Sequence, residues 1–196
     1  SVSLAAAECL KEQGIIPEAV AGFSLGELAA LTFANVFTLE DGFKFVCKRA
    51  EYMQSAAEKT AGSMAAVLGL KNEIVEDLCK EYGQIYPVNY NCPGQLVVAG
   101  EKNKIDGFIN LIKAYGGKAI PLSVSGAFHS PLMDEAYISI VTELEKYKLN
   151  PPSLPIYSNY TGNIYGENIK ELIALQVNNP VKWQTIIENM YSAGIT

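Results

Sequence analysis

Histidine, tryptophan and arginine occur once each in this chain, at His129, Trp183 and Arg49. The four cysteines, Cys9, Cys47, Cys79 and Cys92, form no C-x-x-C pair and no repeating spacing. Neither a disulfide framework nor a zinc site is indicated; no metal is expected, and a reducing cytoplasm fits best. No run of ~18 apolar residues is present, and the first residues lack the basic-then-apolar order of a signal peptide. The chain therefore reads as soluble, with no membrane partner. Basic residues are few and scattered, 15 against 21 acidic, for a formal charge of −6 and a pI of about 4.9. That distribution offers no footprint for nucleic acid. The sequence starts at Ser1 rather than Met, inside a stretch of helical character, as a fragment or a processed chain would.

Apolar residues make up 49% of the 196 positions, enough for one substantial core or a core with a smaller inserted unit. Helix formers fill 2–12, Gly14 ends that run, and 18–22 is a short apolar stretch suited to a buried strand. A helix over 25–33 follows, so strand, glycine turn and helix meet at Ser24. A second helix is expected over 40–57, with Lys44, Lys48, Glu51, Ser55 and Glu58 as its solvent stripe. Between 62 and 124 the order becomes strand (64–70), helix (72–82), strand (85–91), strand (95–100), helix (102–115) and strand (118–124). This is β-α-β-β-α-β, with Cys92-Pro93-Gly94 as the hairpin turn. Beyond a loop at 125–130, a helix is expected over 131–147, a strand over 155–160, and helices near 167–176 and 183–193. The expected fold class is α/β, a hydrolase-like core with a short parallel sheet flanked by helices. That core is discontinuous over 1–61 and 125–196, with a ferredoxin-like subdomain inserted at 62–124.

Gly22-Phe23-Ser24-Leu25-Gly26 has the form G-x-S-x-G. Between a strand and a helix, such a turn exposes the serine hydroxyl and aims the following N–H at a reacting carbonyl. Leu25 N–H would be an oxyanion donor, helped by the positive end of its helix. A serine needs a base, and His129 is the only histidine available. It precedes Ser130, a good N-cap, and Pro131, a good first helical residue; a helix N-terminus there would keep the imidazole neutral. Arg49 lies roughly 140° from the charged stripe of its helix at ~100° per residue, so it should point inward. Its planar fork suits a carboxylate, either a ligand's or that of one of the 21 acidic residues. Asn91 to Gln95 reads as a hairpin turn, and the segment from Gln176 to Trp183 as a helix end before a proline break. No acidic residue is placed by a local motif to orient His129, so a Ser-His-Asp triad is not indicated.

Six stretches in this order, AGFSLGELAAL (21–31), CKRAEYMQ (47–54), GSMAAVLGL (62–70), VNYNCPGQLVVAG (88–100), VSGAFHSPLM (124–133) and QVNNPVKW (176–183), cover nearly the whole chain. Together they resemble the malonyl-CoA:acyl carrier protein transacylases and the related acyltransferase domains of fatty acid and polyketide synthases. The resemblance implies a Ser24–His129 dyad without an acidic third member, a backbone carbonyl near Gln176 orienting the histidine instead. It implies that Arg49 grips the malonyl carboxylate and that Phe128 belongs to the form associated with malonyl rather than methylmalonyl units. The implied reaction is ping-pong transfer from malonyl-CoA, through a malonyl-Ser24 ester, to the phosphopantetheine thiol of acyl carrier protein. No cofactor is implied beyond the CoA thioester substrate and the phosphopantetheine of the partner.

The sequence departs from that family in two respects. Phe23 stands where the family usually has histidine. The family's N-terminal strand with its Pro-Gly-Gln-Gly loop, source of the second oxyanion donor, and its C-terminal Gly-Pro-Gly segment do not occur within residues 1–196. Loss of one such donor costs ~2.7–4 kcal/mol, so this polypeptide alone is expected to be weakly active or inactive. Two other readings remain open on sequence grounds: a serine esterase or thioesterase with water as acceptor, and a binding module without catalysis.

Overall fold

The protein is described by a computed structural model over residues 2–124 and 126–195. Ser1, Ser125 and Thr196, which begin or end expected units, lie outside the described residues. Helices α1 (Val2–Glu12), α2 (Leu25–Phe33) and α3 (Leu39–Thr60) come first. Thr38 starts α3 by accepting from Asp41 N at 3.0 Å, and Glu40 and Asp41 sit in its first turn, facing the positive end of the helix dipole. The outward stripe is as the spacing predicts: Lys44 pairs with Glu40 at 2.6 Å and Lys48 with Glu51 at 2.7 Å. Arg49 points inward and is only 6% exposed.

The middle of the chain runs β1 (Gly62–Leu68), α4 (Asn72–Tyr82), β2 (Ile85–Cys92), β3 (Gln95–Glu101), α5 (Lys102–Ala114) and β4 (Lys118–Pro121). The four strands form one antiparallel sheet in the order β2-β3-β1-β4, with Gly62 opposite Glu101 and Leu68 opposite Gln95. Gly94 takes φ 77° in the β2–β3 turn, a conformation that suits glycine. β4 is an edge strand assigned as far as Pro121; Leu122 N still donates to Met64 O at 2.9 Å, but the chain then turns, Val124 N donating to Leu122 O at 2.8 Å, so the strand expected to reach 124 is shorter. Val75, Leu78, Phe108 and Ile112 of α4 and α5 cover one sheet face. The other face, through Met64, Val88 and Val97, meets Ala127 and Phe128. Gly62 permits that approach, since a Cβ there would lie 2.4 Å from Ala127 N.

A separate core joins Leu28 and Leu31 of α2, Phe45 and Met53 of α3, Ile140 of α6 (Asp134–Leu144) and Ile173 of α7 (Ile169–Leu175). Helix α8 (Trp183–Ser192) follows. The helix expected over 131–147 is shorter at both ends. Pro131–Met133 is a 3₁₀ turn, held where the Ser130 hydroxyl accepts from Leu132 N at 3.3 Å, and the α-helix ends at Leu144. The strands expected at 18–22 and 155–160 are reduced to isolated bridges, Val20 parallel with Ile156 and Tyr157 antiparallel with Ile164. Val20 N donates to Pro155 O at 2.9 Å and Tyr157 N to Val20 O at 3.0 Å. Among the described residues no further strand lies alongside to extend this pair into the expected parallel sheet. The fold is α/β, mixed helices with a small antiparallel sheet, and no helix of the described residues is long and apolar enough to cross a membrane.

Candidate active site

Ser24 sits between the Val20 bridge and α2 with φ 49° and ψ −103°, a conformation rarely held by a non-glycine residue. The turn is this sharp because Gly22 lies against α2: a Cβ on Gly22 would fall 2.0 Å from Gly26 C and O. A Cβ on Gly26 would meet open space beyond its chain neighbours and its own helix backbone, so only the first motif glycine is required sterically. Asn159 clasps the turn from the other chain segment, its Oδ1 accepting from Ser24 N at 2.6 Å and its Nδ2 donating to Gly22 O at 2.7 Å. Leu25 is the first residue of α2, where an N–H has no intrahelical acceptor, and it is exposed beside the serine.

The Ser24 hydroxyl lies 2.8 Å from His129 Nε2. His129 has φ 61°, so both members of the pair are held in left-handed backbone conformations. The end of α7 supplies the hold: His129 N donates to Val177 O at 3.1 Å, and Nδ1 lies 2.8 Å from the backbone oxygen of Gln176. Carbonyls in the last turn of a helix lack intrahelical donors, so Gln176 O is free to accept. A carbonyl can only accept, which places the proton on Nδ1 and leaves Nε2 to take the serine's. His129 is buried, and its pKa is pushed down to about 4, chiefly by that burial and then by the nearby Arg49 guanidinium, against the raising effect of the Gln176 carbonyl. The expected helix N-terminus is not among the causes; the segment after His129 is the 3₁₀ turn. The residue is thus a neutral base at ordinary pH.

Arg49 Nη2 donates to Ser24 Oγ at 3.2 Å and to Gln176 Oε1 at 2.7 Å. Among the described residues Arg49 forms no ion pair, and its buried Nε has no hydrogen-bond partner. Burial lowers its pKa to about 10, against the raising effect of Glu27, so the guanidinium stays charged at neutral pH. The structural salt bridge left open by the sequence is not formed. A buried cation with free donors beside a serine hydroxyl is suited to an incoming anion. The cleft over these groups has a volume of about 410 Å³ and is lined by Phe23, Met53, Met64, Asn89 and Phe128 as well as Ser24, Arg49 and His129. Phe23 also meets Trp183 edge-on, with ring centroids 5.6 Å apart.

Ser24, His129, Arg49, Gln176, Leu25 and Phe128 are therefore all brought to one place. The sequence reading missed Asn159 and Glu27. Glu27 is the only charged residue in the otherwise apolar segment 25–33, and that isolation was a legible signal. It is fully buried, accepting from Asn159 N at 2.9 Å, Tyr165 Oη at 2.7 Å and Gln176 Nε2. Desolvation raises its pKa to about 7, against the lowering effect of those hydrogen bonds. Among the described residues no group of three His, Cys, Asp or Glu is placed to hold a metal.

The family model for the acyl transferase domain matches residues 1–195. The malonyl CoA-acyl carrier protein transacylase of Bacillus subtilis is 35% identical over 203 residues, covering 100% of this chain and 64% of that protein. A crystal structure of malonyl CoA-acyl carrier protein transacylase from Clostridium perfringens superposes with a TM-score of 0.92 at 36% identity, covering 96% of this chain and 61% of that one. A type II PKS acyl-carrier protein in complex with its malonyl-transacylase gives a TM-score of 0.92 at 34% identity over 96% of this chain and 63% of that one. The chain thus spans less than two thirds of the length of each.

Proposed function

Because the chain belongs to the acyl transferase domain family, we propose that it transfers a malonyl group from malonyl-CoA to the phosphopantetheine thiol of an acyl carrier protein, through an ester on Ser24. The observation that carries this reading is a buried, unpaired guanidinium 3.2 Å from a serine hydroxyl that already meets a neutral histidine. Ser24 Oγ attacks the thioester carbonyl while its proton passes to His129 Nε2, and the imidazolium is stabilised at Nδ1 by Gln176 O. The carbonyl oxygen becomes an oxyanion facing Leu25 N–H. On collapse the C–S bond breaks and CoA leaves as the thiol, taking the proton from His129. The phosphopantetheine thiol then attacks the malonyl-Ser24 ester by the same steps in reverse order, restoring the serine. No further cofactor enters this scheme, since CoA is part of the substrate and phosphopantetheine belongs to the partner.

Arg49 selects the acyl group in this scheme. A malonyl carboxylate supplies the anion that the guanidinium lacks, whereas acetyl leaves it buried and unpaired, a costly state. Phe128 walls the same cleft and limits the room beside the acyl chain. The carrier-protein acceptor is supported by the neighbour solved with such a protein.

The antiparallel order β2-β3-β1-β4 with two helices on one face supports a ferredoxin-like subdomain at 62–124. The Ser24 turn between the Val20 bridge and α2 supports a hydrolase-like core over 1–61 and 125–196. Four free thiols support a cytoplasmic location.

The test uses labelled malonyl-CoA with the protein at its natural length. Label should move to holo acyl carrier protein and should not move with Ser24→Ala. Steady release of free malonate at an unchanged rate without carrier protein would give the esterase reading instead.

A further inference from the structure

The side chain of Gln176 touches three parts of the site at once. Its Oε1 accepts from Arg49 at 2.7 Å, and its Nε2 donates to Ser24 O at 2.9 Å and to Glu27 Oε2. An amide has one accepting and one donating end, and exchanging them would put an NH₂ group against the NH₂ of Arg49. Something must therefore fix which end faces the guanidinium. Ser24 O asks for a donor but already accepts from Glu27 N at 3.1 Å. The group that asks for a donor and has no other at that atom is Glu27 Oε2.

We propose that Glu27 is a positioning residue for acyl-group selection: its buried carboxyl orients the Gln176 amide, which presents a carbonyl oxygen to Arg49 and so aims the guanidinium at the acyl carboxylate. Glu27 touches no substrate in this arrangement. Its other oxygen is held by Asn159 N and by the Tyr165 hydroxyl. In either protonation state Oε2 remains an acceptor, because a proton on Oε1 can be given to the Tyr165 oxygen. A carboxyl group is needed for this, and an amide of the same shape fails. With glutamine at 27, an NH₂ at the Oε2 place would face the NH₂ of Gln176, and at the Oε1 place it would face Asn159 N–H. Either choice leaves donors opposed in a buried site, and the least obstructed relief is rotation of the Gln176 amide away from Arg49.

This inference rests on the proposed malonyl transfer, and the experiment separates the two. Initial rates of acyl transfer to holo acyl carrier protein from malonyl-CoA and from acetyl-CoA are measured for the wild type and for Glu27→Gln. Absence of malonyl transfer by the wild type contradicts the transfer reading itself. Given transfer, the expected result is that Glu27→Gln lowers the malonyl-to-acetyl ratio of kcat/KM by roughly tenfold, mainly through the KM for malonyl-CoA. A variant that only unfolds more readily lowers both rates together, so an unchanged ratio in folded Glu27→Gln overturns the proposal. If Glu27→Gln does not fold, Tyr165→Phe removes one of the groups holding the carboxyl. A fall in the ratio there supports the proposal, and an unchanged ratio overturns it.

Discussion

The backbone oxygen of Gln176 lies 2.8 Å from His129 Nδ1, the place where a Ser-His-Asp enzyme would put a carboxylate. A neutral carbonyl fixes the tautomer as well as a carboxylate does. It lends the forming imidazolium only the partial charge of a helix C-terminus. The proposed chemistry therefore rests on a base that is buried, oriented and not assisted by a full negative charge.

Replacing His129 with alanine leaves the serine without a proton acceptor. Malonyl transfer should fall by about 10²–10⁴ in kcat, the range for loss of a general base, with the CoA thioester still bound. Steady-state transfer to the carrier protein measures this, and an undiminished kcat would remove His129 from the mechanism.

Arg49→Ala should weaken malonyl transfer by about 10² or more while acetyl transfer changes little or rises, since the buried cation that acetyl leaves unpaired is gone. The comparison is of kcat/KM for the two thioesters. Equal loss for both would make Arg49 a structural residue.

The pH profile follows from the base. With a pKa near 4, His129 is neutral throughout the range above it, so transfer should hold level from about pH 8 down to about pH 5 and fail only below. A base of ordinary pKa near 6.5 would instead lose activity through pH 6. Measurement of kcat/KM across this range with a saturating carrier protein decides between them.

Stability should respond to the same burial with two opposite signs. His129 keeps its proton off until about 4 in the fold but takes it at 6.5 when unfolded, so its contribution is lost as pH falls from 6.5 to 4. Glu27 keeps its proton up to about 7 in the fold but loses it at 4.5 when unfolded, so its contribution is lost as pH rises from 4.5 to 7. Each amounts to roughly 3 kcal/mol, and they offset where the windows overlap. Thermal unfolding should show this in variants: the melting temperature of Glu27→Gln should drop on going from pH 6.5 to pH 4, and that of His129→Asn on going from pH 4.5 to pH 7. Identical pH profiles for both variants would contradict these assignments.

The two motif glycines should differ. Gly22→Ala places a Cβ 2.0 Å from Gly26 and should destabilise the 196-residue chain by several kcal/mol, or prevent folding, because backbone rather than a flexible side chain blocks it. Gly26→Ala meets open space within a helix and should cost little or stabilise by about 0.5–1 kcal/mol. Denaturant unfolding of the two variants checks the contrast.

Much of this arrangement was legible in the sequence because the informative signals are local. The G-x-S-x-G turn marks the bend at Ser24, helical spacing turns Arg49 inward, and the alternation of patterns from 62 to 124 shows the order of the sheet's strands and helices. The fate of 18–22 and 155–160 was not legible, because a strand's extent depends on neighbours distant in sequence. Val20 and Ile156 meet across 136 positions, and beyond them the segment pairs only through the single antiparallel bridge of Tyr157 with Ile164 among the described residues. The ties among Glu27, Asn159, Tyr165 and Gln176 are equally non-local. The one local trace they leave is that Glu27 is the only charged residue of 25–33, and that trace names no partner. The neutral state of His129 was anticipated, but its cause is burial and Arg49 rather than a helix terminus.

The central claim is that Ser24 carries the acyl group, and intact-mass analysis after brief exposure to malonyl-CoA without carrier protein tests it most directly. The protein at its natural length should gain the mass of one malonyl group, mapped to the peptide containing Ser24 and discharged when holo acyl carrier protein is added. No adduct on the wild type, or an adduct that persists in Ser24→Ala, would contradict the account.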